Sequence, residues 1–546
     1  MNSNKKLFIY LPLIIATTLI AGIFWGSRIV PVTSQNGNLF HLNMNRYDKL
    51  SDMENYILQQ YVDSLSREDL IKEGIKGMLS TLDPHSQYIS AEEFHDVNDP
   101  LIGNFEGIGV QFRIEDDSLI VVQAIPGGPS EKVGIMAGDR IVMVNDSVIA
   151  GPGLDNNGAM KVLKGKKGSL VKVGIFRRSE AGLIHFEITR DVIPTYSIDI
   201  AFMTNEITGY IKVSKFSATT FNEFRKAIND LLEKGMQNLI LDLRGNTGGY
   251  LQEAIDLADE FLEKDKIIVY TKGRNQPKEI FHATSKGKLE DNEVIILIDE
   301  NSASASEILA GAIQDNDRGL IVGRRSFGKG LVQRQLDFLD GSALRLTVAR
   351  YYTPTGRCIQ KPYDNETGFD GYYTESYHRY FNGEMTEQDS THFNDSLKFV
   401  TPGGKVVYGG GGIMPDVFVP IEKDERLAYY NKLYQKGLMY RFAFKYTDDN
   451  RKSLLRYNSF PEFNDNFSID PSILKLFLKF SNDNDVETDE EGLVYTKEKI
   501  KTLIKAYISR NLFDDKGFYP VLLPTDSVFV KALHLLKNAE PLITQQ

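Results

Sequence analysis

The serines of the turn Ser302 to Ser306, with Lys329 and Gln333, all in the stretch Asn301 to Gln333, are of the types that nucleophilic catalysis requires. A serine hydroxyl attacks a carbonyl only when a positioned base takes its proton, and the bases used with serine are histidine or a neutral lysine. The eight histidines (His41, His85, His95, His185, His282, His378, His392, His534) are scattered outside this stretch, and neither a GxSxG elbow nor an HExxH motif occurs. Lys329 lies between two glycines in SFGKG, where backbone packs closely around an amine. To act as a base near neutral pH, its pKa must fall several units from about 10.4, which burial among Phe327, Leu331 and Val332 would supply. Gln333 follows by four, a spacing that returns to the same side of a helix or a strand, so its amide oxygen can aim the amine. The turn taken alone fits equally well a Ser/Ala cap on a helix, with Lys329 in solvent.

The elements that must position these groups are legible on both sides. Val294 to Ile298 reads as a buried strand, and Glu307 opens a helix in EILAGAIQ. The small-residue turn between them, Ser302 to Ser306, places a hydroxyl at the rim of a sheet and the positive end of a helix. From Tyr196 onward short apolar strands (GYIKVSKF, NLILDL, IIVYTKG, VIILID) alternate with amphipathic helices (FNEFRKAINDLLEKG, LQEAIDLADEFL). That alternation predicts an α/β core whose ligands meet the loops at strand ends. Residues Leu101 to Ile193 are instead β-rich, with Gly/Pro turns between strands.

SASASEILAGA followed by FGKGLVQ resembles the C-terminal processing peptidases, or tail-specific proteases, which are Ser/Lys serine proteases. The resemblance implies Ser304 as nucleophile, Lys329 as general base and Gln333 as its orienting partner. DLRGNTGG (Asp242 to Gly249) matches that family's DLRxNxGG phrase. It implies a core of the crotonase and caseinolytic-protease fold, with oxyanion donors from the backbone N–H of Gly248 or Gly249 and of Ala305. Asp242 and Arg244 read as a structural ion pair and are given no chemical role. GIGV, PGGPSEKVGIMAGDRIVMVND and KVLKGKKGSLVKVGIFR together resemble a bacterial PDZ domain. The implied peptide site is the Gly107–Ile108–Gly109–Val110 loop, whose N–H groups would cradle a C-terminal carboxylate, with the helix Asn157 to Lys164 walling the groove. Lys164 stands where the family often has Arg, which weakens bidentate pairing. GMLSTLDPHSQYIS also resembles the family's N-terminal region. Its Asp83, His85 and Ser86 name a triad, but neighbours on one turn do not converge on one reacting atom, so they are read as structural.

The chain of 546 residues, 42% hydrophobic, can bury several cores. The expected organisation is a cytoplasmic tip and anchor (1–30), a tether and helical region (31–100), the PDZ domain (101–193), the protease core (194–420, with an excursion at 363–408) and a C-terminal helical domain (421–546). The net charge of -11, with no long basic run, argues against nucleic acid as a partner. The single cysteine, Cys358, allows no internal disulfide. Lys5 and Lys6 precede an uncharged run, Leu7 to Trp25, about long enough to cross a hydrocarbon core. Leu19, Ile20 and Ala21 make a poor cleavage site, so an uncleaved single-pass anchor in the inner membrane, with the catalytic part in the periplasm, is expected. The acidic run Asn482 to Gly492 lacks the EF-hand order of ligands and reads as a solvated loop. No metal or cofactor is called for. The expected partners are the membrane, through that anchor, and protein substrates with apolar C-terminal tails; a second copy or an adaptor protein is left open. The expected function is therefore endopeptidase cleavage of tailed proteins. The alternatives are a catalytically silent PDZ scaffold and, from the fold, an acyl-CoA enzyme.

Overall fold

The computed structural model describes residues 16–18, 48–115, 117–178, 180–363, 368–387 and 395–537. The chain divides into two compact units, 1–73 and 74–546. In the first, Asp48 caps the helix Lys49–Gln60 by accepting from Leu50 N and Ser51 N, and Glu54 pairs with Arg67. All the candidate site residues lie in the second.

The second unit is organised on a six-stranded sheet in the order Ile198–Met203, Thr208–Val213, Asn238–Asp242, Glu293–Ile298, Leu320–Gly323, Val417–Phe418. Its first pair is antiparallel and the rest are parallel. The strand sequences are continuous apolar runs because both faces are covered. Side chains alternate between the faces: Val294, Ile296 and Ile298 join a core with the helices Thr220–Glu233, Leu251–Asp259 and Ala305–Asp315, whereas Ile295 and Leu297 meet Val528, Phe529, Ala532 and Leu536 of the C-terminal helix Ser527–Lys537. A second sheet pairs Ala343–Tyr352 with Gln87–Ile89, Ile267–Lys272 and Leu331–Asp337, all antiparallel. It brings the 83–86 turn alongside the strand that follows Lys329.

The β-rich insertion leaves and rejoins the core through one antiparallel ribbon, Asn104–Gly107 against Asp191–Pro194. Its sheet runs Val110–Glu115, Ser118–Ala124, Arg140–Val144, Leu170–Phe176, Leu183–Thr189, so Val110–Glu115 is an edge. The helix Asn156–Leu163 begins one residue earlier than expected, because Asp155 caps it by accepting from Gly158 N at 2.7 Å.

The described residues beyond 420 are mainly helical, and most of them pack around a separate core that includes Leu433, Phe442, Phe463, Phe477, Ile500 and Ile504. This helical part touches the inserted domain as well as the main sheet: Arg113 lies over the ring of Phe444 at 3.9 Å, and Glu115 pairs with Arg441 at 3.1 Å. Within the expected solvated loop, Asp489 instead caps the helix Glu490–Phe513, accepting from Glu491 N and Gly492 N.

The expected single-pass inner-membrane placement is overturned. No helix among the described residues is long and apolar enough to cross a membrane. The longest of these, Glu490–Phe513, is broken throughout by Glu and Lys. The run Leu7 to Trp25 that prompted the expectation lies outside the described residues apart from Ala16, Thr17 and Thr18.

Candidate active site

Ser304 stands between the strand Glu293–Ile298 and the helix Ala305–Asp315 with φ 56° and ψ -112°. A non-glycine residue there stores about 1–3 kcal/mol of strain, which its surroundings must hold. Glu307 does so from within the helix. Its Oε2 accepts from Ser304 N at 2.7 Å and Lys329 N at 2.9 Å, while its Oε1 accepts from Ser326 Oγ at 2.6 Å and Gly328 N at 2.7 Å. One buried carboxylate thus ties the serine turn to the lysine loop. Burial pushes its pKa up, against the hydrogen bonds that favour the charged form. Tyr351 closes the other side, its hydroxyl contacting the carbonyls of Ser304 (3.2 Å) and Lys329 (2.5 Å).

Ser304, Lys329 and Gln333 line one cleft of about 1010 Å³. Lys329 Nζ donates to Gln333 Oε1 at 3.1 Å. The strand irregularity between Val332 and Gln333 accompanies the turn of Gln333 toward the amine. Gln333 Nε2 in turn donates to the carbonyl of His85. Lys329 and Ser304 share no hydrogen bond in this structure, and in free enzymes such contacts often tighten only when substrate binds. Burial lowers the pKa of Lys329, and the nearby Arg345 guanidinium lowers it further, with Asp83 and Glu307 opposing. Leu331 and Val332 line the cleft as expected. Phe327 does not: its ring packs on Tyr372 and beneath Lys361 Nζ at 3.8 Å.

The 83–86 turn is a support. Asp83 accepts from His85 N, Ser86 N, Ser86 Oγ and Thr347 Oγ1 at 2.6–3.1 Å. The His85 imidazole stays neutral, its pKa lowered to about 3 by burial and then by the charge of Lys329.

Facing Ser304, Gly248 and Gly249 adopt φ 100° and 150°. A Cβ on Gly248 would fall 2.7 Å from Ser304 Cβ, and one on Gly249 would fall 2.0 Å from the Phe216 carbonyl oxygen. The two glycines are not equivalent as donors. Gly248 N–H donates to Asn246 Oδ1 at 2.9 Å. Ala305 N–H opens the helix and, like every first-turn amide, has no acceptor within it.

In the inserted domain, a groove of about 760 Å³ lies between the edge strand Val110–Glu115 and the helix Asn156–Leu163, lined by Ile108, Gly109, Val110, Phe112, Met160 and Leu163. Gly107 ends the neck ribbon ahead of that loop. Lys164 is at the mouth, but its amine turns to the helix Phe94–Ile102, pairing with Asp96 at 2.8 Å and Asp99 at 3.5 Å.

Family models match along the chain: peptidase family S41 at residues 207–366, a PDZ domain at 107–187, the activating protease CtpB N-terminal domain at 29–93, and a family of unknown function at 429–514. The carboxy-terminal processing protease CtpA of Bacillus subtilis (strain 168) is 34% identical over 364 residues, 66% of this chain and 76% of that protein. The chain belongs to the carboxy-terminal processing proteases. It is a serine-type peptidase carrying a PDZ domain. The carboxy-terminal-processing protease of Bartonella bacilliformis is 35% identical over 350 residues, 62% of this chain and 79% of that one. Among solved structures, the photosystem II D1 C-terminal processing protease is 27% identical, covering 57% of this chain and 83% of that one, with a TM-score of 0.34.

Three residues at this protease's site escaped the sequence reading. Glu307 was legible as the fourth residue of an S-x-x-E capping pattern beginning at Ser304. Asn246 sat inside the DLRGNTGG phrase without a stated task. Tyr351 gave no signal, since a tyrosine in a strand is ordinarily packing.

Proposed function

We propose that this peptidase hydrolyses proteins selected by their apolar C-terminal tails, with Ser304 as nucleophile and Lys329 as base. A tail would add a strand to Val110–Glu115 and sink its last side chain among Ile108, Met160 and Leu163, its carboxylate meeting the Ile108 and Gly109 N–H groups. In the cleft, Ser304 Oγ attacks the scissile carbonyl carbon and its proton passes to Lys329 Nζ. The oxyanion accepts from Gly249 N–H and Ala305 N–H. Lys329 then gives the proton to the leaving amine, and the peptide C–N bond breaks to leave a Ser304 ester. Lys329, neutral again, takes a proton from water, whose oxygen attacks the ester. The carboxylic product leaves and Ser304 regains its hydroxyl.

The observation that carries this reading is the Lys329 amine. It is aimed by Gln333 and pushed toward neutrality by burial, in the cleft that Ser304 enters from a helix N-terminus. The test is cleavage of an unfolded model protein ending in a short apolar tail. Ser304→Ala and Lys329→Ala are each expected to lower kcat by about 10³-fold or more, with tail-peptide Kd unchanged. Undiminished cleavage by Ser304→Ala overturns the mechanism.

A further inference from the structure

The DLRGN run holds an ion cluster larger than the Asp242–Arg244 pair legible in the sequence. Buried Asp242 accepts from Tyr210 OH (2.8 Å), Lys212 Nζ (3.2 Å), Arg244 N (2.9 Å) and, from the same guanidinium, Nε (3.0 Å) and Nη2 (2.6 Å). The remaining edge of that guanidinium faces a residue 282 positions away. Arg244 Nη1 donates to both carboxylate oxygens of Asp526, at 3.0 and 2.8 Å. Lys212 also donates to the Arg244 carbonyl, so side chain and backbone of Arg244 are both gripped.

Arg244 opens the loop that ends at Gly249, and the two residues after it are held by hydrogen bonds. Gly245 N donates to Asp299 Oδ1 at 2.9 Å, and Asn246 Nδ2 to the Val213 carbonyl at 3.0 Å. The Asn246 carbonyl accepts from Ala303 N at 3.0 Å and Ser306 Oγ at 2.9 Å, which joins the loop to the serine turn. Asp526 is itself rigid. Its Oδ1 accepts from Val528 N at 2.9 Å and Phe529 N at 3.1 Å at the start of the helix Ser527–Lys537, whose Phe529 ring packs on Tyr210 at 5.6 Å. Asp242 is shared between Lys212 and the guanidinium, and Asp526 balances the second positive charge. Two carboxylates on two of its edges also set its rotation, and a planar fork transmits that rotation.

We propose that Asp526, acting through Arg244, is a positioning residue for the Gly249 N–H, so that the C-terminal helix is a working part of the catalytic apparatus. The inference rests on the reading of Gly249 and Ala305 as oxyanion donors. A donor for a transient charge gains its effect from being aimed before the charge develops. The brace supplies that aim from a segment remote in sequence.

The test uses the full chain with Asp526→Asn, which keeps a good helix cap while removing the charge facing Arg244. Two readouts are taken: kcat on a tailed unfolded protein, and the affinity advantage of a peptide aldehyde over the matching alcohol. The aldehyde adds to the serine hydroxyl and places its oxygen where the oxyanion forms. Both are expected to fall about tenfold, a fraction of the loss from deleting a whole donor. KM and tail-peptide Kd stay unchanged, and Asp526→Glu recovers most of the loss. Unchanged kcat and aldehyde advantage overturn the proposal, as does a loss that only tracks a lowered Tm. If the unmodified protein shows no aldehyde advantage, or Ser304→Ala still cleaves, the active-site reading falls and takes this inference with it.

Discussion

The turns Gly107–Val110 and Asn246–Gly249 both present backbone N–H groups beside a cleft, and they are held in contrasting ways. In the first, Ile108 is buried and its carbonyl accepts from Ser130 N at 3.1 Å and Ser130 Oγ at 2.6 Å, while the Gly109 carbonyl accepts from Ile125 N at 2.9 Å. These supports are neutral and lie within the inserted domain. In the second, the loop is braced by the Asp242, Lys212, Arg244 and Asp526 charges and by Asn246 hydrogen bonds that reach the serine turn. A carboxylate is charged before it arrives, so its site can settle around it. An oxyanion exists only in passing, so its donors must be in place beforehand. The heavier bracing falls on the turn proposed for the transient charge.

The largest effect that separates the two turns comes from Gly249→Ala. With φ at 150° and a Cβ 2.0 Å from the Phe216 oxygen, the backbone must move. The loss in kcat is expected at about 10²- to 10³-fold with tail-peptide Kd unchanged, read by steady-state kinetics beside isothermal titration. A parallel fall in tail affinity would erase the distinction. Gly109→Ala is the counterpart, with φ at 74° and a Cβ 2.9 Å from Ile193 Cδ1. Tail affinity should drop about tenfold by the same titration while kcat at saturating substrate holds, since the flexible end of Ile193 can yield. Equal loss on a tail-free unfolded protein would count against the groove as the recognition site.

The smallest effect sharpens the charge side of the comparison. Arg345 lowers the Lys329 pKa, so Arg345→Gln should raise it and move the acid limb of the kcat/KM profile to higher pH. The same depressed pKa has a signature in stability. Between its folded and unfolded pKa values, Lys329 binds more proton in the unfolded chain, so stability rises with pH across that window; below the folded pKa, the full cost of charging the buried amine is present. The substitution narrows the window, which a Tm series against pH records. An unmoved acid limb would mean that another group sets it.

How much of this the sequence carried depended on distance along the chain. Ser304, Lys329 and Gln333 could be grouped as candidates because they fall in one short stretch, and they line one cleft; the apolar strands were legible because both faces of the sheet are buried. Phe327 was misplaced because its ring is claimed by Tyr372 and Lys361, from a stretch without periodicity. Gly248 and Gly249 could not be told apart, since the bond that distinguishes them, from Gly248 N–H to Asn246 Oδ1, is made by a side chain two residues earlier. The pairing of Lys164 with Asp96 and Asp99 was not legible, since it is made by a helix packed from outside the domain. Asp526 gave no signal at all, because an N-capping aspartate reads the same whether or not an arginine waits 282 residues upstream.

The measurement that most directly tests the Ser304/Lys329 assignment is labelling of the full chain with a serine-directed fluorophosphonate, locating the adduct by peptide mass. One adduct is expected, on Ser304, forming faster as pH rises through the Lys329 pKa and lost in Lys329→Ala while Tm is retained. An adduct on another residue, or undiminished labelling of Ser304 in Lys329→Ala, would contradict it.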